Sequence, residues 1–85
     1  MYVGELLRLV ETPMAIQITT KLPERRYYYL PRSQVQIVRR GGHMIIYVPD
    51  WIIDKNRIDW ENLQDVKPIG RRHDHGYDYS HFTFA

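Results

Sequence analysis

Cysteine is absent from this sequence, so neither a disulfide framework nor a thiolate metal site can supplement the core. That absence fits a reducing cytosol. No apolar run approaches the ~20 residues of a membrane-spanning helix, and Met1-Tyr2-Val3-Gly4-Glu5 lacks the basic start and apolar centre of a secretory signal. Nor is there a glycine-rich phosphate loop, because Gly41-Gly42 reads as a hairpin turn. Ser33 has no histidine placed to activate it, and Ser80-His81 are chain neighbours rather than a spatial pair. Asp54-Lys55 near Pro49-Asp50 lacks the further acid that a metal-dependent nuclease needs. These absences argue against an enzyme, and no cofactor is expected. Eighty-five residues make one domain near the lower limit for a single core, which leaves room for a homodimer that buries more surface.

What is present is charge of two signs, unevenly placed. Net charge is only +2, yet Lys21, Arg25, Arg26, Arg32, Arg39 and Arg40 face a single acid, Glu24, across residues 21–40. Residues 50–65 reverse the balance, with Asp50, Asp54, Asp59, Glu61 and Asp65 against Lys55 and Arg57. Arginine outnumbers lysine, which favours fork-shaped contacts to phosphate or carboxylate. A dipolar solvated surface is the plainer account of the same distribution.

Alternation of apolar residues points to a mainly β fold. Residues 2–11 fit both a helical and a strand template, and the strands that follow favour the second. Met14, Ile16 and Ile18 alternate with Ala15, Gln17 and Thr19, and the tyrosine-rich run Arg25 to Leu30 follows the connection Lys21-Leu22-Pro23-Glu24. A loop of those four residues sets Ile18 opposite Tyr27 and Ile16 opposite Tyr29, with Tyr28 beside Gln17. Tyr27 and Tyr29 then join the core side and Tyr28 faces out; a slip of one residue reverses this. Val35–Arg39 and Met44–Val48 flank Gly41-Gly42 as a tight hairpin, pairing Arg40 with His43, Arg39 with Met44 and Ile37 with Ile46. Pro49 opens a short helix near Asp50, and Asp59 caps another that turns Trp60 and Leu63 inward. Lys67-Pro68-Ile69-Gly70 ends the compact region. The expected architecture is a small bent antiparallel sheet, or an SH3- or OB-like partial barrel, with one or two short C-terminal helices. Residues 1–70 form that domain; residues 71–85 are a histidine-rich aromatic tail, either an extension or a last strand added to a sheet edge.

Tyr29-Leu30-Pro31-Arg32-Ser33-Gln34, then Val48-Pro49-Asp50-Trp51 after the glycine turn, resembles small phage-encoded β proteins. Their core reads tryptophan-leucine-proline-lysine-serine-glutamine, followed by valine-proline-acid-tryptophan. Glu11-Thr12 with Ala15-Ile16 falls where that pattern has its preceding strand, so the similarity covers residues 2–53. Tyrosine for tryptophan at Tyr29 and arginine for lysine at Arg32 are chemically mild departures. The resemblance implies a phage or prophage context, hence a bacterial host's cytoplasm, and a small β fold. It brings no established activity.

Three chemistries compete for these residues. Arg25, Arg26, Arg32, Arg39 and Arg40, interleaved with Tyr27, Tyr28, Tyr29 and Tyr47 (Tyr28 and Tyr47 being the rings assigned to the site), offer cations for a phosphate backbone and rings for base stacking, the mixture that single-stranded nucleic acid requires. The rival account makes the tyrosines cross-strand packing and the arginines guards of a sheet edge. Tyrosine, tryptophan and arginine are also usual anchors of protein interfaces, so a phage inhibitor or accessory protein of a host complex, such as an anti-CRISPR-type antagonist, is the second expectation. His73, His75, Asp78 and His81 match no metal-site spacing, and no metal is expected there.

Overall fold

Two glycines do most to organise the central hairpin. In the computed structural model, which describes residues 1–71, Gly41 and Gly42 have φ of +53° and +83°, the left-handed pair that a two-residue turn demands. The turn joins β5 (Gln36–Arg40) to β6 (His43–Val48), in the register read from the sequence: Gln36 opposite Tyr47, Ile37 opposite Ile46, Arg40 opposite His43. β1 (Tyr2–Leu6) lies antiparallel along the other edge of β6, and β7 (Val66–Arg71) pairs with β1. The result is a four-stranded sheet of order β5-β6-β1-β7. Residues 67–70 therefore do not merely end the domain. Pro68 sits within β7, which among the described residues pairs with β1 alone, and an edge position is where a strand tolerates proline.

A second sheet, of order β2-β3-β4, holds β2 (Val10–Glu11), β3 (Ala15–Thr19) and β4 (Tyr27–Pro31). The Thr12 hydroxyl makes the β2–β3 turn by accepting from the backbone N–H of Met14 at 3.3 Å and of Ala15 at 3.0 Å. Both sheets are antiparallel and open, so the mainly β expectation holds, divided between two sheets. β4 and β5 follow one another in sequence without pairing, because the 3₁₀ turn Arg32–Gln34 carries the chain from one sheet to the other.

One apolar cluster draws on both sheets: Ile16, Ile18 and Leu30 from the smaller, Leu6, Ile46, Val48 and Val66 from the larger. Helix α1 (Asp50–Asn56) adds Ile52 and Ile53 while leaving Trp51 half exposed. Asp59 Oδ1 accepts from the Glu61 N–H at 3.2 Å, and the turn it caps buries Trp60 with Leu63 following. Trp60 donates its indole N–H to the Val3 carbonyl at 3.2 Å and meets the Tyr2 ring at a tilt, 5.6 Å between centroids. Met14 corrects the strand reading: it lies beyond β3 and is 81% exposed rather than in the core. Among the described residues, no helix is long and apolar enough to cross a membrane. The tail, with His73, His75 and His81, lies outside the described residues.

Candidate nucleic-acid interface

The tyrosine strand depends on how its loop closes. Thr20 N–H donates to the Arg26 carbonyl at 3.0 Å, and the Thr20 hydroxyl accepts from Arg26 N–H at 2.7 Å while donating to the Glu24 carbonyl at 2.8 Å. The connection consequently spans residues 21–25, one more than the sequence reading allowed. A one-residue change in register exchanges the two faces of a strand. Ile18 lies opposite Tyr28, and Gln17 opposite Tyr29. Tyr28 is thus the half-buried ring, packed against the core, while Tyr27 and Tyr29 are 53% and 62% exposed. The expected outward placement of Tyr28 is corrected accordingly.

On the outer face, Tyr27 and Tyr29 stand two residues apart, about 7 Å along the strand. Gln17 Nε2 donates to the Tyr29 hydroxyl at 3.5 Å, a long contact from the neighbouring strand. Arg25 lies in the loop just before β4 and Arg32 just after it, both exposed. Arg32 forms an ion pair with Glu11 of β2, so a phosphate would have to compete with that carboxylate.

Arg26 and Tyr28 belong to a different surface. With Thr20, Glu24, Arg57, Asp59 and Asn62 they line a pocket of about 220 Å³ between the loop end and the segment after α1. Arg57 is a pocket residue that sequence reasoning missed. It takes a left-handed conformation, φ +53°, at the helix C-terminus, where glycine is usual. Two carboxylates share the pocket, so its formal charge is balanced.

Arg39 and Arg40 are not part of either surface. They lie at the end of β5 in the four-stranded sheet, and as adjacent strand residues they project to opposite faces. Tyr47 of β6 is half-buried and already engaged. The seven expected residues therefore divide into Arg25, Arg26 and Tyr28 at the closed end of β3–β4, Arg32 at the far end of β4, and Arg39, Arg40 and Tyr47 in the other sheet. Residues 21–40 are basic as a run of sequence, not as one surface.

Elsewhere a few charges are paired. Asp50 holds the amino terminus at 2.5 Å and the Arg71 guanidinium at 2.9 Å. Burial alone would raise the Asp50 carboxyl, but hydrogen bonds from Arg71 and the amino terminus outweigh it and hold the group below its ordinary value. Arg71 also stacks over Tyr2, 4.9 Å from the ring centre. His43 Nδ1 lies 2.6 Å from a Glu5 carboxylate oxygen. Among the described residues, no three histidines or acids gather as a metal site would require. No protein-family model matches the chain, and no curated protein or solved structure matches it at a significant level.

Proposed function

We propose that this protein is a noncatalytic module that binds single-stranded nucleic acid on the outer face of β4. The observation that carries the reading is the exposed pair Tyr27 and Tyr29 on one sheet face, bracketed by Arg25 and Arg32. Each ring offers a stacking surface worth about 1–3 kcal/mol per base, whatever the base. Arg25 and Arg32 are the cations beside that face; Arg26, which lines the pocket, and Arg39 and Arg40 leave the site in this reading. Two phosphate contacts on a single strand give a slope of roughly −1.4 in log affinity against log salt. The resemblance to phage β proteins supports a bacterial host's cytoplasm as the place of this activity.

Fluorescence anisotropy with labelled single-stranded DNA and RNA at two salt concentrations tests this. Replacing Tyr27 and Tyr29 together by alanine is expected to weaken binding at least 30-fold, from ~1 kcal/mol or more at each ring. The double change of Arg39 and Arg40 to glutamine should alter it less than 3-fold. Absence of binding at low salt, or a double-tyrosine variant that binds as well as the parent, rejects the proposal.

A second reading, an inhibitor or accessory protein docking on a host protein complex, is favoured by a separate observation. The connections flanking β3 expose Met14 and Leu22, and β4 exposes Tyr27 and Tyr29, a composition suited to a protein partner. A stoichiometric protein retained from a nuclease-treated bacterial lysate, with no oligonucleotide affinity, would decide for it.

A further inference from the structure

Among the described residues, β4 pairs with β3 and with no other strand, and its outer edge can be read residue by residue. In an antiparallel ladder, residues alternate between turning their backbone N–H and C=O toward the partner strand and away from it. Two hydrogen bonds bracket β4 and fix the phase: Thr20 N–H to the Arg26 carbonyl, and Arg32 N–H to the Met14 carbonyl, both 3.0 Å. Even-numbered residues thus face β3. Tyr27 and Tyr29 aim both backbone groups outward, and Pro31 adds a carbonyl without an N–H.

We propose that this edge pairs with the same edge of a second copy of the chain. The pairing is antiparallel about a two-fold axis at Tyr28, which joins the two three-stranded sheets into one of six strands. Tyr27 of each protomer then lies opposite Tyr29 of the other, exchanging four backbone hydrogen bonds in all. The exposed rings form two cross-strand aromatic pairs. The same register sets Glu24, in the loop before β4, opposite the other copy's Arg32, which then shares its charge between Glu24 and its own Glu11. Arg26 falls opposite Leu30 and Arg25 opposite Pro31, so opposite charges meet and no two arginines do. Moving the axis to Tyr29 brings Arg26 against Arg32 and places Pro31, which cannot donate, opposite Tyr27. Moving it to Tyr27 takes Glu24 from Arg32 and sets it against Leu30. Charge complementarity therefore selects the Tyr28 axis.

This proposal goes beyond nucleic-acid binding and does not depend on it, since edge pairing leaves both sheet faces open. Five-residue strands make a small interface, so the dimer is weak, with a dissociation constant on the order of 100 μM. The chain's lack of cysteine provides a direct test. Opposite residues that do not exchange hydrogen bonds have Cα atoms about 4.5 Å apart, within the range a disulfide spans. Three single variants of the full chain, Tyr27→Cys, Tyr28→Cys and Tyr29→Cys, are oxidised mildly at about 500 μM and run on non-reducing gels. Tyr28→Cys is expected to form at least 5-fold more covalent dimer than either neighbour. Preferential cross-linking of Tyr27→Cys or Tyr29→Cys, equal yields, or no dimer overturns the proposal. The unaltered chain supplies a check that no substitution can disturb. Sedimentation velocity should show mass rising toward the dimer between 10 μM and 1 mM, and a monomer throughout that range refutes the pairing.

Discussion

Replacing Gly4 by alanine is the sharpest probe of how the four-stranded sheet packs. A Cβ at this position would fall 2.5 Å from Val66 Cγ1, 3.0 Å from the Lys67 carbonyl oxygen and 3.0 Å from Trp60 Cζ2. Carbon atoms prefer separations of about 3.5–4.0 Å, so the Val66 contact is short by roughly 1 Å. Neither obstacle moves freely. Val66 is β-branched and 1% exposed, with a stiff side-chain torsion, and Trp60 is tied to Val3 by its indole N–H. Relief requires β1 and β7 to part, or Trp60 to leave the cluster. Overpacking of this kind costs about 1–3 kcal/mol, and three simultaneous short contacts place Gly4 at the upper end.

The sign of the change is as informative as its size. Without those contacts, alanine would stabilise a strand relative to glycine by roughly 0.5–1 kcal/mol. A loss of ~3 kcal/mol in a domain of this size lowers the melting temperature by ~12–24 °C, measurable by circular dichroism. Val66→Ala alone should cost about 2–3 kcal/mol through lost burial and a cavity. The double variant removes the closest obstacle, so its loss should fall below the sum of the single losses by ~1 kcal/mol or more. A Gly4→Ala variant that melts at or above the parent, or strict additivity with Val66→Ala, would refute the packing described for β1 and β7.

Two other predictions address the turn and the charges. Gly42→Ala meets no atom within 4 Å but must hold φ near +83°, so denaturant titration should show a purely conformational cost of ~1–2 kcal/mol, while Gly41→Asn should be tolerated. Asp50 titrates below its ordinary value of 3.8 when folded, so its stabilising contribution is full above that pH and disappears as pH falls through the lower folded value. Melting curves of the parent and Asp50→Asn should accordingly differ at pH 7 and converge as pH falls below 3.8; a gap unchanged as pH falls rejects the ion-pair account.

How much of this was legible in the sequence depended on whether the deciding interaction was local. The β5–β6 register was readable because Gly41-Gly42 admits few turn geometries, and aliphatic alternation on both sides agreed with it. Asp59 and Trp60 were readable for the same reason, since a cap acts within one turn. The β3–β4 register was not, because Thr20's hydroxyl extends the loop by one residue through bonds to Glu24 and Arg26, and no periodicity marks that. Pro68 and Gly70 look like strand breakers, yet β7 forms, because an irregularity in its register beside Val3 and Gly4 and a strand on only one side accommodate them. The arginine run misled most. Nearness in sequence stood in for nearness in space until the 3₁₀ turn at Arg32–Gln34 sent β4 and β5 into separate sheets. Which strands pair is decided by long-range contacts such as Gly4 opposite Ile46, and a binding surface follows that pairing. Tyr27 and Tyr29 therefore belong to the candidate site while Arg39 and Arg40 do not, although the charge pattern alone pointed the other way.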